Sequence, residues 1–276
     1  MKIAVLSGKG GTGKTTVAAS LARVINPSQY VDCDVEEPNG YVFLKPEFVN
    51  SVPVRVEVPA ADELLCTGCG ECARVCQFNA LAVIRGKPLV FPELCHHCGA
   101  CFIVCRPKAL IPEFRKVGEV ESDKEGTVLQ GKLEIGEPVT IPVIIELKKH
   151  MRDDIPVILD SSPGASCTVV QTIDGCDYCI LVTEPTPFGL HDLKIAVSLV
   201  RKMGIPFGVA INKAMDNNMS ITDFCDNENI DIIIEIPYSR KIAEEYSKGN
   251  LPVDGNKVWQ REFELMFRKI KEKTGK

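Results

Sequence analysis

No stretch of this 276-residue chain approaches the roughly 18 consecutive apolar residues that a membrane-spanning helix requires. A basic excess is also missing: 32 Lys and Arg stand against 37 Asp and Glu, a net charge of −5, which disfavours generic nucleic-acid binding. No export signal is evident. The opening run MKIAVLSGKGG passes from a short apolar segment straight into a glycine-rich turn without a small-residue cleavage site, and reads as a buried strand. Together these absences predict a soluble, cytoplasmic protein with no membrane span and no nucleic-acid partner. In that setting disulfides are a poor account of its thirteen cysteines, and metal binding is the better one.

Eight of those cysteines fall in two matching runs, CTGCGECARVC at 66–76 and CHHCGACFIVC at 95–105. Each is C-x2-C-x2-C-x3-C, the spacing of bacterial two-cluster ferredoxins, in which three close cysteines hold one [4Fe-4S] cube and the fourth reaches the other. The expected ligand sets are therefore crossed: Cys66, Cys69, Cys72 and Cys105 for one cluster, Cys95, Cys98, Cys101 and Cys76 for the second. Gly70 and Gly99 relieve crowding near the inorganic core, and the trailing QFNAL and RPKAL look like halves of one duplicated fold. The proline usual after the fourth cysteine is replaced by Gln77 in the first run and by Arg106 followed by Pro107 in the second. A zinc site is the alternative, but tetrahedral zinc takes C-x2-C pairs separated by longer loops.

A different chemistry opens the chain. Gly8-Lys9-Gly10-Gly11-Thr12-Gly13-Lys14-Thr15 satisfies G-x-x-x-x-G-K-[ST] after an apolar strand and before the helical pattern TTVAASLARVI. Its glycines, with Thr12 and Thr16, let backbone amides close around phosphate oxygens at a helix N-terminus. Lys14 then reaches the terminal phosphates and Thr15 coordinates magnesium. Later apolar runs, VILD, YCILVT, GVAIN and DIIIEIP, alternate with helical segments and predict a parallel sheet covered on both faces. SVPVRVEVP alternates with Val52, Val54, Val56 and Val58 on one face and reads as an edge strand. Residues 114–136 are polar and glycine-punctuated and carry no periodic element.

The loop GKGGTGKTT, with its early lysine, resembles the deviant phosphate loop of the MinD, ParA and nitrogenase iron protein superfamily. That resemblance implies a doubly wound α/β P-loop fold, formed by 1–61 and 114–276 and interrupted by a small α+β ferredoxin domain at 62–113. It also implies an ATP-bridged homodimer, or a heterodimer with a related chain, in which Lys9 crosses to the other subunit's phosphates. VDCDVEEPN resembles the first switch, making Asp34 the carboxylate that activates water and placing Asp32 nearby. VILDSSPG resembles the second, making Asp160 a holder of the magnesium shell through water. INKAMD places Asp216 one residue too late for the GTP-reading motif N-K-x-D, so Asn212 and backbone near Pro237 are expected to contact adenine, and the nucleotide is expected to be ATP.

Weaker signals remain. Cys167 lies where the nitrogenase iron protein ligates a shared cluster, but no second cysteine precedes Asp160 after Cys105, and a buried small residue is the preferred reading. Cys176 and Cys179 are expected in the core, Cys33 and Cys225 have no partner by spacing, and His96 and His97 are expected at the surface. Trp259, Phe263, Met266, Phe267 and Ile270 form a helical stripe that packs on the sheet or docks on a membrane. Two functions fit the whole: an ATP-driven protein that gates electron transfer through two [4Fe-4S] clusters to a redox partner, or an ATP-dependent carrier that passes iron-sulfur or metallocofactor cargo to an acceptor. A ParA-like positioning ATPase has no surface chemistry in its support.

Overall fold

The computed structural model of the protein describes residues 1–215 and 219–276; Asp216 lies outside the described residues. The first half of the chain forms β1 (Lys2–Leu6), α1 (Lys14–Val24), β2 (Gln29–Asp32), α2 (Tyr41–Leu44), β3 (Phe48–Ala61), α3 (Glu71–Val75), β4 (Leu81–Ile84), β5 (Lys87–Val90), α4 (Ala100–Val104), β6 (Leu110–Asp123) and β7 (Val128–Leu133). The second half forms α5 (Ile141–Lys149), β8 (Val157–Asp160), α6 (Cys167–Ile173), β9 (Tyr178–Thr183), α7 (Pro187–Lys202), β10 (Phe207–Ala214), α8 (Met219–Asn227), β11 (Ile232–Pro237), α9 (Arg240–Ser247) and α10 (Lys257–Thr274). Two compact units result. The first comprises Met1–Ser51, Val120–Lys132 and Ile144–Lys276; the second comprises Val52–Glu119 and Leu133–Val143, and so extends beyond 62–113 on both sides.

The strands follow the order β11-β10-β9-β1-β8-β2-β7-β6-β3, and the seven from β11 to β7 pair in parallel. Parallel strands need helical crossovers and are covered on both faces, which is why β2, β8 and β9 are buried at every residue. β3 ends the order, as its prolines and alternation predict, with Val54, Val56 and Val58 buried and Val52 exposed. Residues 114–136 depart from expectation, because β6 and β7 occupy much of that stretch. Only scattered residues such as Val117, Val120 and Leu129 turn inward there, so the alternation is masked by the polar residues between them. The α10 stripe packs inward: Phe263, Met266 and Ile270 are fully buried in the first unit's core, with Trp259 and Phe267 at its margin. Among the described residues no helix is long and apolar enough to cross a membrane.

The second unit has a β4–β5 antiparallel hairpin, the short helices α3 and α4, and a small core around Leu81, Cys101 and Leu110. Its two halves repeat. Cys76 Sγ accepts from the Ala80 amide at 3.3 Å and Cys105 Sγ from the Ala109 amide at 3.2 Å. Gly70 and Gly99 cap their helices with φ of 77° and 74°.

Burial of the α10 stripe is a testable energetic statement. Phe263→Ala is expected to cost about 3–5 kcal/mol in denaturant unfolding. Val258→Ala, on the exposed face of the same helix, is expected to change stability by less than about 0.5 kcal/mol.

Candidate functional site

The first candidate site lies where β1, β2 and β8 end. Register places Val5 beside Asp160 and Asp32 beside the same Asp160, so the phosphate loop after β1 and both carboxylate-bearing segments share one end of the sheet, where ligands of open parallel sheets bind. Gly11 and Gly13 are left-handed, with φ of 78° and 90°. A Cβ on Gly13 would run into the Asn212 side-chain amide, and one on Gly8 into Asp192. Gly10 and Gly11 border open space. Helix α1 starts at Lys14 with no acidic residue in its first turn, leaving its amides and positive dipole end available to an anion. Thr12, Lys14 and Thr16 are buried. Lys9 is half-exposed, and its carbonyl accepts from Ser7 Oγ at 2.6 Å.

Three carboxylates face this loop. Asp160 is 1% exposed; Tyr30 donates to its Oδ2 at 2.9 Å, while among the described residues Oδ1 has no aligned hydrogen-bond partner, the Thr15 hydroxyl lying near the carboxylate. Burial pushes its pKa up, although the Thr15 hydroxyl and the Lys14 charge oppose that shift. An unpartnered buried carboxylate oxygen beside Thr15 fits a hydrated magnesium ion, a hard cation taking oxygen ligands. Asp32 accepts from the amides of Asp34, Asn39 and Gly40 at 3.1, 3.0 and 2.9 Å, so it ties the 34–40 loop to the sheet. Its pKa is pushed up to about 8, first by burial and then by Asp160. Asp34 is only partly buried. Burial raises its pKa to about 6 against the lowering effect of Lys14.

Asn212 Nδ2 donates to the Thr12 carbonyl at 2.8 Å, so its amide braces the loop from β10. Pro237 ends β11 opposite Ala214. Tyr30 was not anticipated, though it sits two residues before Asp32 and therefore on the same face of β2. Gly40 leaves room for its ring, since a Cβ there would strike it.

The second candidate site is a pair of separate cavities in the second unit. One is lined by Cys66, Cys69, Cys72 and Cys105, the other by Cys76, Cys95, Cys98 and Cys101, and each encloses about 20 Å³. The fourth cysteine of each run thus lies with the first three of the other. A cage of four thiols whose lining includes no Lys or Arg fits a cube ligated by four thiolates. Among the described residues no three His, Cys, Asp or Glu side chains converge as a single-ion site would need; a cube spreads its thiolates over four irons.

Two expectations are corrected, those for Cys167 and His97. Cys167 is exposed, because it opens α6 directly after the 161–166 loop. His97 is mostly buried, its side chain 10% exposed and its Nε2 3.6 Å from Glu137 Oε1; burial lowers its pKa despite the carboxylate. His96, though exposed, is stacked on Phe78 with ring centroids 3.8 Å apart. Cys33, Cys179 and Cys225 are buried, and Cys176 is buried enough to push its thiol up to about 12.

Residues 3–253 match the sequence profile described as the CobQ/CobB/MinD/ParA nucleotide binding domain, and the chain belongs to that family. It is 32% identical over 255 residues to the uncharacterized protein MJ0579 of Methanocaldococcus jannaschii, covering 90% of each chain. It is 29% identical to MJ0578 of the same organism over 99% of this chain and 97% of that one. Its fold is similar to that of the septum site-determining protein MinD of Pyrococcus horikoshii, solved with Mg-ADP, with a TM-score of 0.60, 17% identity and coverage of 99% and 97%.

If Asp34 must be ionised to orient and deprotonate water, hydrolysis should be full above its raised pKa and fall as pH drops through about 6. Asp34→Asn should lower the rate by at least about 100-fold, within the range general-base catalysis supplies, while leaving nucleotide binding intact. A steady-state ATPase pH profile with a parallel binding titration checks both.

Proposed function

We propose that the protein is an ATP-hydrolysing iron-sulfur protein in which a nucleotide-dependent dimer cycle gates electron transfer through two [4Fe-4S] clusters to a protein partner. The observation that carries the reading is the crossed sorting of eight cysteines into two cages within a chain of the MinD/ParA nucleotide-binding family. Membership of the family and the Mg-ADP bound by the Pyrococcus relative support magnesium and ATP as ligands here.

In this reading the loop amides and Lys14 hold and neutralise the phosphates, and Thr15 and Asp160 hold magnesium. Asp34, fixed in place through Asp32, orients water and takes up its proton. Asn212 keeps the loop shaped, and backbone near Pro237 lies toward the base. Lys9, half-exposed at the loop, crosses to a second subunit's phosphates. The clusters, when bound, supply one-electron redox chemistry at low potential; donor and acceptor are electron-carrier proteins. Coupling is supported by chain order, because the cysteine unit is inserted between Asp34 and Asp160, the two elements that sense the γ-phosphate.

The carrier reading, in which ATP drives transfer of iron-sulfur cargo, is favoured by one observation, the exposed Cys167. The buried Cys176 and Cys179 do not strengthen it.

Anaerobic iron counting and EPR on wild type, Lys14→Ala and Cys76→Ala, with and without MgATP, separate these. The redox reading expects two clusters that stay bound in either nucleotide state, retention of both in Lys14→Ala, and loss in Cys76→Ala of the one completed by Cys95, Cys98 and Cys101. Release of a cluster to an apo-acceptor during hydrolysis would sink it in favour of the carrier.

A further inference from the structure

The repeat that makes the two cages breaks at one position. The first run reads Cys66-Thr67-Gly68-Cys69 and the second Cys95-His96-His97-Cys98. Both third residues are left-handed, with φ of 71° at Gly68 and 56° at His97. Glycine is required in the first run, since a Cβ on Gly68 would press on the Gly86 backbone. In the second, a bulky side chain is held in a conformation that disfavours it, and such strain persists only where the surroundings impose it.

What surrounds His97 is charged. It lines the second cavity and faces Glu137, whose side chain is 1% exposed and whose Oε2 lies 2.6 Å from Arg115 Nη2. Arg115 and Glu137 form an ion pair, and among the described residues no atom of the His97 ring or of the Glu137 carboxylate makes an aligned hydrogen bond. The first cavity has only Glu71 of this kind, and Glu71 pairs with Arg74 on the surface, where their side chains are 45% and 70% exposed. Water and salt screen that pair far more than the buried one. The cages differ in burial as well. Cys95 and Cys101 are buried, whereas every cysteine of the first cage is half-exposed or exposed.

We infer that the Arg115–Glu137 ion pair, which His97 faces from the cavity wall, makes the two cages inequivalent and sets the reduction potential of the cluster held by Cys76, Cys95, Cys98 and Cys101 apart from that of the first. The inference rests on the cluster reading and deepens it. Reduction adds one electron, hence one negative charge, to a cage. Fixed charge within a low-dielectric reach biases that step, while exposure damps it. Arg115, whose charge acts on Cys95, and Glu137 therefore act with opposite sign on one cluster, and the greater exposure of the first cage damps their effect there. Fixed order of potentials gives electrons a preferred direction between the cages.

The test is a redox titration monitored by EPR on the anaerobically reconstituted full chain. Cys98→Ala identifies the second cluster by the signal it removes. Glu137→Gln, which leaves Arg115 uncompensated, is expected to move that cluster's potential up. Arg115→Met is expected to move it down, Arg115→Lys to leave it near the wild-type value, and the first cluster to stay put in all three. Should Arg115→Met fail to fold, the Glu137→Gln shift and the Arg115→Lys control decide the matter. Equal potentials in wild type, or shifts of the same sign or in both clusters, overturn the inference and leave the cluster reading standing. Failure of wild type to bind two clusters overturns both.

Discussion

Asp32, Asp34 and Asp160 meet at the ends of adjoining strands with Lys14 as the cation that acts on Asp34 and Asp160, and most of this negative charge is out of water. Desolvation raises all three pKa values, and the charge of Asp160 adds to the rise at Asp32 and Asp34, so the arrangement favours further positive charge or protons. That constraint accounts for the rest of the first unit's upper end. Asp32 spends its lone pairs on three loop amides. Tyr30 takes one oxygen of Asp160 and leaves the other open. In the proposed reading the magnesium ion supplies the missing positive charge at these carboxylates, while the nucleotide phosphates meet Lys14 and the bare N-terminus of α1.

The second unit solves a different problem. Its apolar core is small, and a module of this size generally needs a staple. Thiol cages at both ends of the repeat are suited to that role, so cluster binding and folding of this unit are expected to be linked. The duplication is close in backbone and unequal in charge, which suits the proposed one-way passage of electrons.

Legibility in the sequence followed contiguity. The strand, loop and helix around Lys14 were readable because every part is adjacent along the chain, and the cysteine pairing because its spacing is short and repeated. The parallel sheet was readable from its continuous apolar runs. Contacts spanning long separations were not: nothing near Tyr30 in sequence announces Asp160, 130 residues away, and neither Arg115 nor Glu137 carries any mark that they close on His97. β6 and β7 were missed because only a minority of their residues face inward, and Cys167 was misjudged because its exposure depends on the loop before it rather than on its apolar neighbours.

The central claim is that nucleotide state at the carboxylate cluster governs electron flow from the cysteine cages. Stopped-flow bleaching of the reduced clusters by a one-electron oxidant, in saturating MgATP and in MgADP, tests it most directly. The account predicts clearly different rates in wild type that become equal in Lys14→Ala; equal rates in wild type would contradict it.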